Sequence, residues 1–295
     1  MQKCVALTII ALMILPLAGA DDRPPDESRE EMGGHSIVLE QYTATWCDTC
    51  ATIDSWILDF IDDRSSRVVR VALHPLGPDP FGSNLTTHRV YLNGDSGDVS
   101  LPSFWFDGEG QLEGDVSQST LENGLRDAEA NREYSVSIHL WWDTWNNEPH
   151  DTIQEISIHI DGEIPENANI TVFRLETLKM LDEIAYNGVD NHHDVATQMI
   201  TFNPNGMISE SFDGSHGWEL SEGNRYDAGG VPVYNLQTYG DVDTFVAMIE
   251  VDGDIWGAIG ISDDNGNDHS NKSSISALIL LFCVLALSTA LSRKG

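Results

Sequence analysis

The chain has 295 residues, enough for two ordinary domains plus processing segments, and carries 48 acidic against 15 basic residues, a formal net charge of −33. A surface this acidic repels nucleic acid and anionic lipid headgroups, so charge alone excludes both as partners. It suits cationic partners, divalent ions or a salty medium.

Both ends read as membrane signals. Lys3 opens a short basic region, Val5 to Leu17 is an apolar core, and Ala18-Gly19-Ala20 is a small-residue cleavage site followed by Asp21-Asp22. That order is a signal peptide over residues 1–20, cleaved after Ala20, with an uncleaved anchor as the alternative. Residues 21–32, with Pro24-Pro25 and the charged run Asp26 to Glu31, read as a linker. At the far end Ile275 to Leu291 is an apolar run at the short end for a spanning helix. Ser292-Arg293-Lys294 follows it, and positive charge favours the cytoplasmic side. Residues 263–274 form a disordered acidic stalk with nothing to bury. The expected localisation is the cell membrane, single-pass through a C-terminal transmembrane helix at 275–291, with the ectodomain outside and residues 292–295 as a cytoplasmic tail. A cleaved sorting or lipid-anchor signal would read similarly. All 48 acidic residues lie between the two apolar segments with 12 of the 15 basic ones, leaving that stretch 36 charges negative. Lysine is scarce, at Lys3, Lys179, Lys272 and Lys294 alone, and such acid-rich, lysine-poor surfaces resemble those of halophilic or marine archaeal proteins.

Between the ends, an apolar run from Ser36 to Thr43 gives way to a helical pattern at Trp46-Cys47-Asp48-Thr49-Cys50. Two thiols at that spacing and junction can cycle between dithiol and disulfide, and a helix N-terminus favours the thiolate of the first, which is the nucleophile. Cys4 leaves with the signal peptide and Cys283 lies inside the apolar run, so Cys47 and Cys50 are the thiols left in the exported part. A staple across two residues closes almost no loop, and zinc would need two further ligands, so neither a structural disulfide nor a metal accounts for the pair.

The elements follow in order. After the first strand, Cys50, Ile53, Trp56, Ile57, Phe60 and Ile61 fall on one helical face, and Asp62 to Ser66 ends it. Val68 to Leu73 is a short buried strand. Leu101 to Phe106 is another, Asp107-Gly108-Glu109-Gly110 a hairpin turn, Gln111 to Gly114 its partner, and Ser117 to Asn131 a closing helix. This β-α-β…β-β-α order resembles a thioredoxin fold over residues 33–131. The resemblance implies a cis-proline strand facing the Cys-x-x-Cys turn, with Pro102 in that place after Leu101, and a backbone edge that pairs with a substrate chain. The extra segment from His74 to Asp98, with Trp-Cys-x-x-Cys before it and Leu-Pro…Phe-Asp-Gly after it, resembles the 28-kilodalton outer-membrane-protein family, whose members carry an immunoglobulin-like second half. That likeness covers residues 36–115 well and the rest loosely.

Two departures bear on the chemistry. Thioredoxins commonly bury an aspartate six residues before the first cysteine as a proton relay, and this chain has Gln41 there; Glu40 beside it should point to the other face, since side chains alternate along a strand. Asp48 and Thr49 stand between the cysteines, and Asp48 places negative charge beside Cys47. Trp46 reads as a lid beside the pair. His35, His74 and His88 match no ligand pattern, so no metal or other cofactor is assigned.

From residue 133 to 262 the pattern changes to short strands and turns: Tyr134 to Leu140, Ile153 to Ile160, Ile170 to Leu175, Thr197 to Phe202, Thr244 to Val251, and Asp254 to Ile261 after the turn Asp252-Gly253. That is an all-β sandwich, immunoglobulin-like by the resemblance. His192-His193-Asp194 would splay to opposite faces of a strand and suits a structural role better than chelation. Asp263 to Asp268 lacks the spacing of a calcium loop, leaving loose calcium association with the stalk. Asn84, Asn169 and Asn271 open glycosylation sequons, which are permissive only.

Two functions fit. One is a membrane-anchored extracytoplasmic thiol–disulfide oxidoreductase in which Cys47 attacks, Cys50 resolves and Trp46, Leu101 and Pro102 hold the substrate, working on protein thiols and disulfides outside the cell with a redox partner to reset it. The other is a cell-surface binding or adhesion module whose cysteine pair is a relic.

Overall fold

The computed structural model describes residues 24–94, 99–147, 151–182, 186–214, 217–226 and 232–263. The expected signal peptide, the C-terminal apolar run with its expected tail, and nearly all of the expected stalk lie outside them. Among the described residues no helix is long and apolar enough to cross a membrane. The described residues are mostly β-sheet with three helices.

Strand β2 (Ile37–Tyr42) sits inside a mixed sheet flanked by β3 (Val68–Leu73), parallel to it, and β4 (Ser103–Phe106), antiparallel to it. Its residues alternate as sequence demands. Ile37 and Leu39 pack with Ile53, Ile57 and Phe60 of α1 (Asp48–Asp62) and Leu121 and Leu125 of α3 (Gln118–Asn131), while Val38 packs on the opposite face with Leu85 and Val90 of α2 (Asn84–Gly94). The sheet is thus covered on both faces, which is why β2 and β3 read as unbroken apolar runs. Helix α3 lies tight on β4 because Gly124 has no side chain: a Cβ there would meet the Phe106 ring at 2.5 Å.

The second half supplies β6 (Ser137–Asn147), β7 (Asp151–Asp161), β8 (Asn169–Glu176), β9 (Lys179–Met180), β10 (Asn191–His192), β11 (Val195–Phe202), β12 (Ile208–Phe212), β13 (Glu219–Tyr226), β14 (Pro232–Tyr239), β15 (Thr244–Val251) and β16 (Asp254–Ser262). The first half adds β1 (Glu27–Gly33) and β5 (Glu109–Glu113). A five-stranded antiparallel sheet runs β1-β6-β7-β14-β13. Its inner face, with Ile138, Leu140, Trp142, Ile156, Ile158 and Leu236, packs against Ile170, Val172, Phe202, Phe245, Ala247 and Ile249 of the large sheet.

Three sequence expectations change. The charged segment Asp26 to Glu31, read as a linker, mostly forms β1 and pairs with β6 from Glu27↔Thr144 to Gly33↔Ile138. It is an edge strand largely exposed, and charges on an edge discourage pairing with other chains, so its composition mimics a linker. The strand expected from Tyr134 begins at Ser137, and Tyr134 instead stacks on Trp256 with ring centroids 4.4 Å apart. The separation near residue 132 is not a break in the architecture, because the nine-stranded sheet runs β16-β15-β8-β11-β3-β2-β4-β5, with β12 beside β11, through both halves. The join is a parallel contact, Val195 opposite Ala72, where the Ala72 N–H donates to the Asp194 carbonyl at 2.8 Å.

Candidate functional site

The carboxyl end of β2 leads through Thr43, Ala44, Thr45 and Trp46 into α1. Cys47 is the N-cap of that helix, with extended backbone (φ −90°, ψ 113°), and its Sγ accepts the N–H of Cys50 at 3.1 Å. A sulfur here takes the role usually filled by a serine or aspartate oxygen, so negative charge on it meets an unpaired helix N–H and the positive end of the helix dipole. Cys47 and Cys50 form a disulfide. Their surroundings differ: Cys47 keeps 8% of its surface and Cys50 none.

Trp46 is 42% exposed beside them, Asp48 is exposed and Thr49 half-buried. Leu101 packs on the cluster of Ala44, Cys47 and Cys50, and the Leu101–Pro102 bond is cis. Pro102 is buried, and the next residue, Ser103, pairs with Tyr42 at the end of β2, which brings the proline turn beside the cysteines. The structure therefore gathers Trp46, Cys47, Asp48, Thr49, Cys50, Leu101 and Pro102 at one end of the sheet.

Gln41 is fully buried on the α1 face. Its Nε2 donates to Asp54 Oδ1 at 3.0 Å and its Oε1 accepts from Arg70 Nε at 2.8 Å. Arg70 also reaches Asp194, at 3.2 Å, and the His193 carbonyl, at 3.1 Å. Burial pushes the Asp194 carboxyl up, with Arg70 pulling against it. Glu40 points to the other face as alternation requires, where Arg89 grips both of its oxygens at 2.8 and 2.9 Å.

Several residues at this end carry no expectation from sequence. Asp54 lies one helical turn after Cys50, a spacing that could have flagged it. Asn187, from the segment between β9 and β10, donates to the Cys47 carbonyl at 3.1 Å, so the second half touches the cysteine turn directly. His74 pairs with Asp79 at 3.2 Å, and Asp79 accepts the Thr45 N–H at 2.7 Å. His192 is buried against His74, with ring centroids 5.2 Å apart, while Asp194 turns away to Arg70 with φ +54°. The His-His-Asp run is split between two roles. His88 lies against Phe212 instead, ring centroids 5.1 Å apart, and among the described residues no three His, Cys, Asp or Glu side chains gather to hold a metal ion.

Asp48 sets up one test. Its carboxylate stands in the first turn of α1, next to a sulfur whose thiolate depends on that turn. Asp48→Asn is expected to lower the Cys47 thiol pKa, because a neighbouring negative charge that disfavours the thiolate is removed. Titration of thiolate absorbance in the reduced protein checks this, and an unchanged or higher value refutes it.

No protein-family model and no curated protein matches the chain. Among solved structures it is similar to HBP35 of Porphyromonas gingivalis, with a TM-score of 0.55 at 15% identity over 81% of this chain and 79% of that one. A protein from Agrobacterium tumefaciens aligns over 79% of this chain and 97% of its own at 15% identity and a TM-score of 0.49. At such identity the likeness to HBP35 concerns fold alone.

Proposed function

We propose that this chain is a thiol–disulfide oxidoreductase built on a thioredoxin-like first half with a β-sandwich second half, displayed outside the cell on a single C-terminal membrane helix. Cys47 attacks a disulfide of a partner protein, Cys50 resolves the mixed disulfide, and the Leu101–Pro102 turn offers backbone to the bound segment. One observation carries this reading: the Cys47 sulfur caps α1, accepts the Cys50 N–H, keeps a sliver of exposure and is bonded to a fully buried Cys50. An attacking sulfur needs charge stabilisation and access, and a resolving one needs proximity and protection from competing partners.

The test is a Cys50→Ser trap expressed in the native host and run on non-reducing gels. Attack without resolution should leave discrete mixed disulfides with partner proteins. Their absence, with the protein present at the surface, favours the second reading, a binding module with a relic site. Gln41 standing where such folds commonly bury an acid, fully occupied by Asp54 and Arg70, is the feature that supports that alternative.

A further inference from the structure

No residue of the second half takes part in the exchange step, yet one of its turns rests on the reactive cysteine. Asn187 Nδ2 donates to the Cys47 carbonyl at 3.1 Å, and that oxygen also accepts the Ala51 N–H of α1 at 3.1 Å. The Asn187 side chain is held at its other atom too, because its Oδ1 accepts the Val189 N–H at 3.0 Å. His192 Nε2 in turn donates to the Val189 carbonyl at 3.1 Å. The His192 ring packs edge-on to His74 and Phe81, with ring centroids 5.2 and 5.4 Å away. Lys179 of β9 lies 5.4 Å over the same Phe81 ring. Strands β9 and β10 with the turn at 186–189 thus form an arm fixed on the loops that follow β2 and β3.

What this arm displays is apolar. Eleven large apolar side chains stand exposed among the described residues, and four of them sit here: Trp46 and Leu76 on the loops after β2 and β3, Met180 at 65% and Tyr186 at 89% exposure on the arm. Tyr186 precedes Asn187, so its Cα is about 3.8 Å from that of the residue that clasps Cys47, and Trp46 precedes Cys47 itself. Apolar side chains scattered singly over a surface need no explanation, whereas a group of them on an acid-rich surface marks a contact. Tyrosine, tryptophan and methionine are the types enriched at the centres of protein interfaces.

We propose that the arm is a substrate wall supplied by the second half: Tyr186 and Met180, with Trp46, receive an extended segment of a partner polypeptide that carries an aromatic or large aliphatic side chain within a few residues of its disulfide cysteine. The inference rests on the exchange reading above and names the substrate class of that site. The occupant follows from position. Leu101 packs on the cysteine cluster and Asn187 on the Cys47 carbonyl, so a chain joined to Cys47 meets both the proline turn and the arm. Successive side chains of an extended chain point to opposite sides, which leaves the residues flanking the bonded cysteine free to reach Trp46 and Tyr186. Acidic segments are disfavoured by the formal charge of −33. Asn187 is a positioning residue that keeps the arm at the sulfur, and Tyr186 sets the preference. Because the arm is already fixed before a partner arrives, little ordering opposes binding.

The test uses the reduced full-length protein and three disulfide probes in stopped flow. Two are heptapeptides whose central cysteine is bonded to thionitrobenzoate, one with phenylalanine on both sides of the cysteine and one with serine in those places. The third is dithio-bis-nitrobenzoate, which has no peptide. In the peptide reaction the Cys47 thiolate attacks the peptide sulfur, that S–S bond breaks, and coloured thionitrobenzoate leaves with the electron pair. The Cys50 thiol then loses its proton to solvent, and its thiolate displaces the peptide thiolate from Cys47 Sγ. The two cysteines lose two electrons and the probe gains two.

Below saturation the wild type should release colour ~10-fold faster from the phenylalanine peptide than from the serine peptide, the gain expected of one aromatic contact. Tyr186→Ser should cut that advantage below ~3-fold by raising the half-saturating peptide concentration while the limiting rate stays put. Asn187→Ala, which frees the arm from Cys47, should do the same. Neither change should alter the rate with dithio-bis-nitrobenzoate, which is too small to need the arm. All three probes slowed together would mean a merely structural role and overturn the wall. So would equal wild-type rates for the two peptides, an advantage that survives Tyr186→Ser, or a wild-type dimer that Tyr186→Ser dissociates in sedimentation, since the patch then belongs to a second copy. A wild type that releases no colour from any probe sinks the exchange reading and the wall with it; colour released without preference sinks the wall alone.

Discussion

Arg89→Ala should lower the stability of the protein by about 4 kcal/mol, the largest effect expected of any single substitution at a charged residue here. Arg89 is 2% exposed, and its guanidinium holds Glu40 through two contacts and Glu250 through a third, at 3.1 Å. Glu40 is itself fully buried, and Asn93 supplies it one further donor, at 2.7 Å. Glu250 also accepts from Thr171, at 2.8 Å. Removing the arginine leaves two carboxylates in a space that water reaches poorly, and a stranded buried charge costs far more than the pair contributes. The arginine stem and its place 5.6 Å over the Phe173 ring are lost too. Thermal unfolding should show a midpoint roughly 10 °C lower. Combining Arg89→Ala with Glu40→Gln should recover part of the loss, because one stranded charge is gone, and a double-mutant cycle isolates that coupling. Additive effects would show that the cluster is not the source.

The second large effect falls on Cys47. Cys47→Ser should reduce exchange with any external disulfide to the uncatalysed background, although Cys50 remains. The reason is burial: Cys50 has no exposed surface, and its thiol sits inside the first turn of α1 with Ala44 and Leu101 packed around the pair. The Cys50→Ser protein retains the reachable sulfur and should consume one equivalent of a disulfide probe and stop. Stopped assays of probe consumption separate the two variants. Equal reactivity of both single-serine proteins would contradict the asymmetry on which the exchange reading stands.

Much of this was readable in the residues. Strands β2, β3, β8, β11, β15 and β16 are legible because their apolar runs or alternations face packed layers, and α1 because Ile53, Ile57 and Phe60 repeat at helical spacing. The cysteine turn shows itself by its chemistry and its place at a strand–helix junction, and the proline turn through family resemblance. What escaped had another physical basis. Strand β14 turns Asn235 and Gln237 toward Ser157, at 2.6 Å, and Glu155, at 2.8 Å, so part of its fit is carried by hydrogen bonds that apolar patterning does not report. The Arg70–Asp194 and Asn187–Cys47 contacts join residues more than a hundred positions apart, and one sequence carries no mark of such meetings. Asp54 reads as a solvent-facing helix acid until its partner Gln41 is known.

The single parallel contact between β3 and β11 has a consequence for how this chain could have been assembled. Were the polypeptide severed after residue 132, β3 would lose the bond from the Ala72 N–H to the Asp194 carbonyl, and β1 would lose the whole of its β6 partner, leaving open strand edges. Neither piece could be exchanged by recombination as a ready-made cassette without first acquiring a new border, so the two parts are expected to have been inherited as a unit.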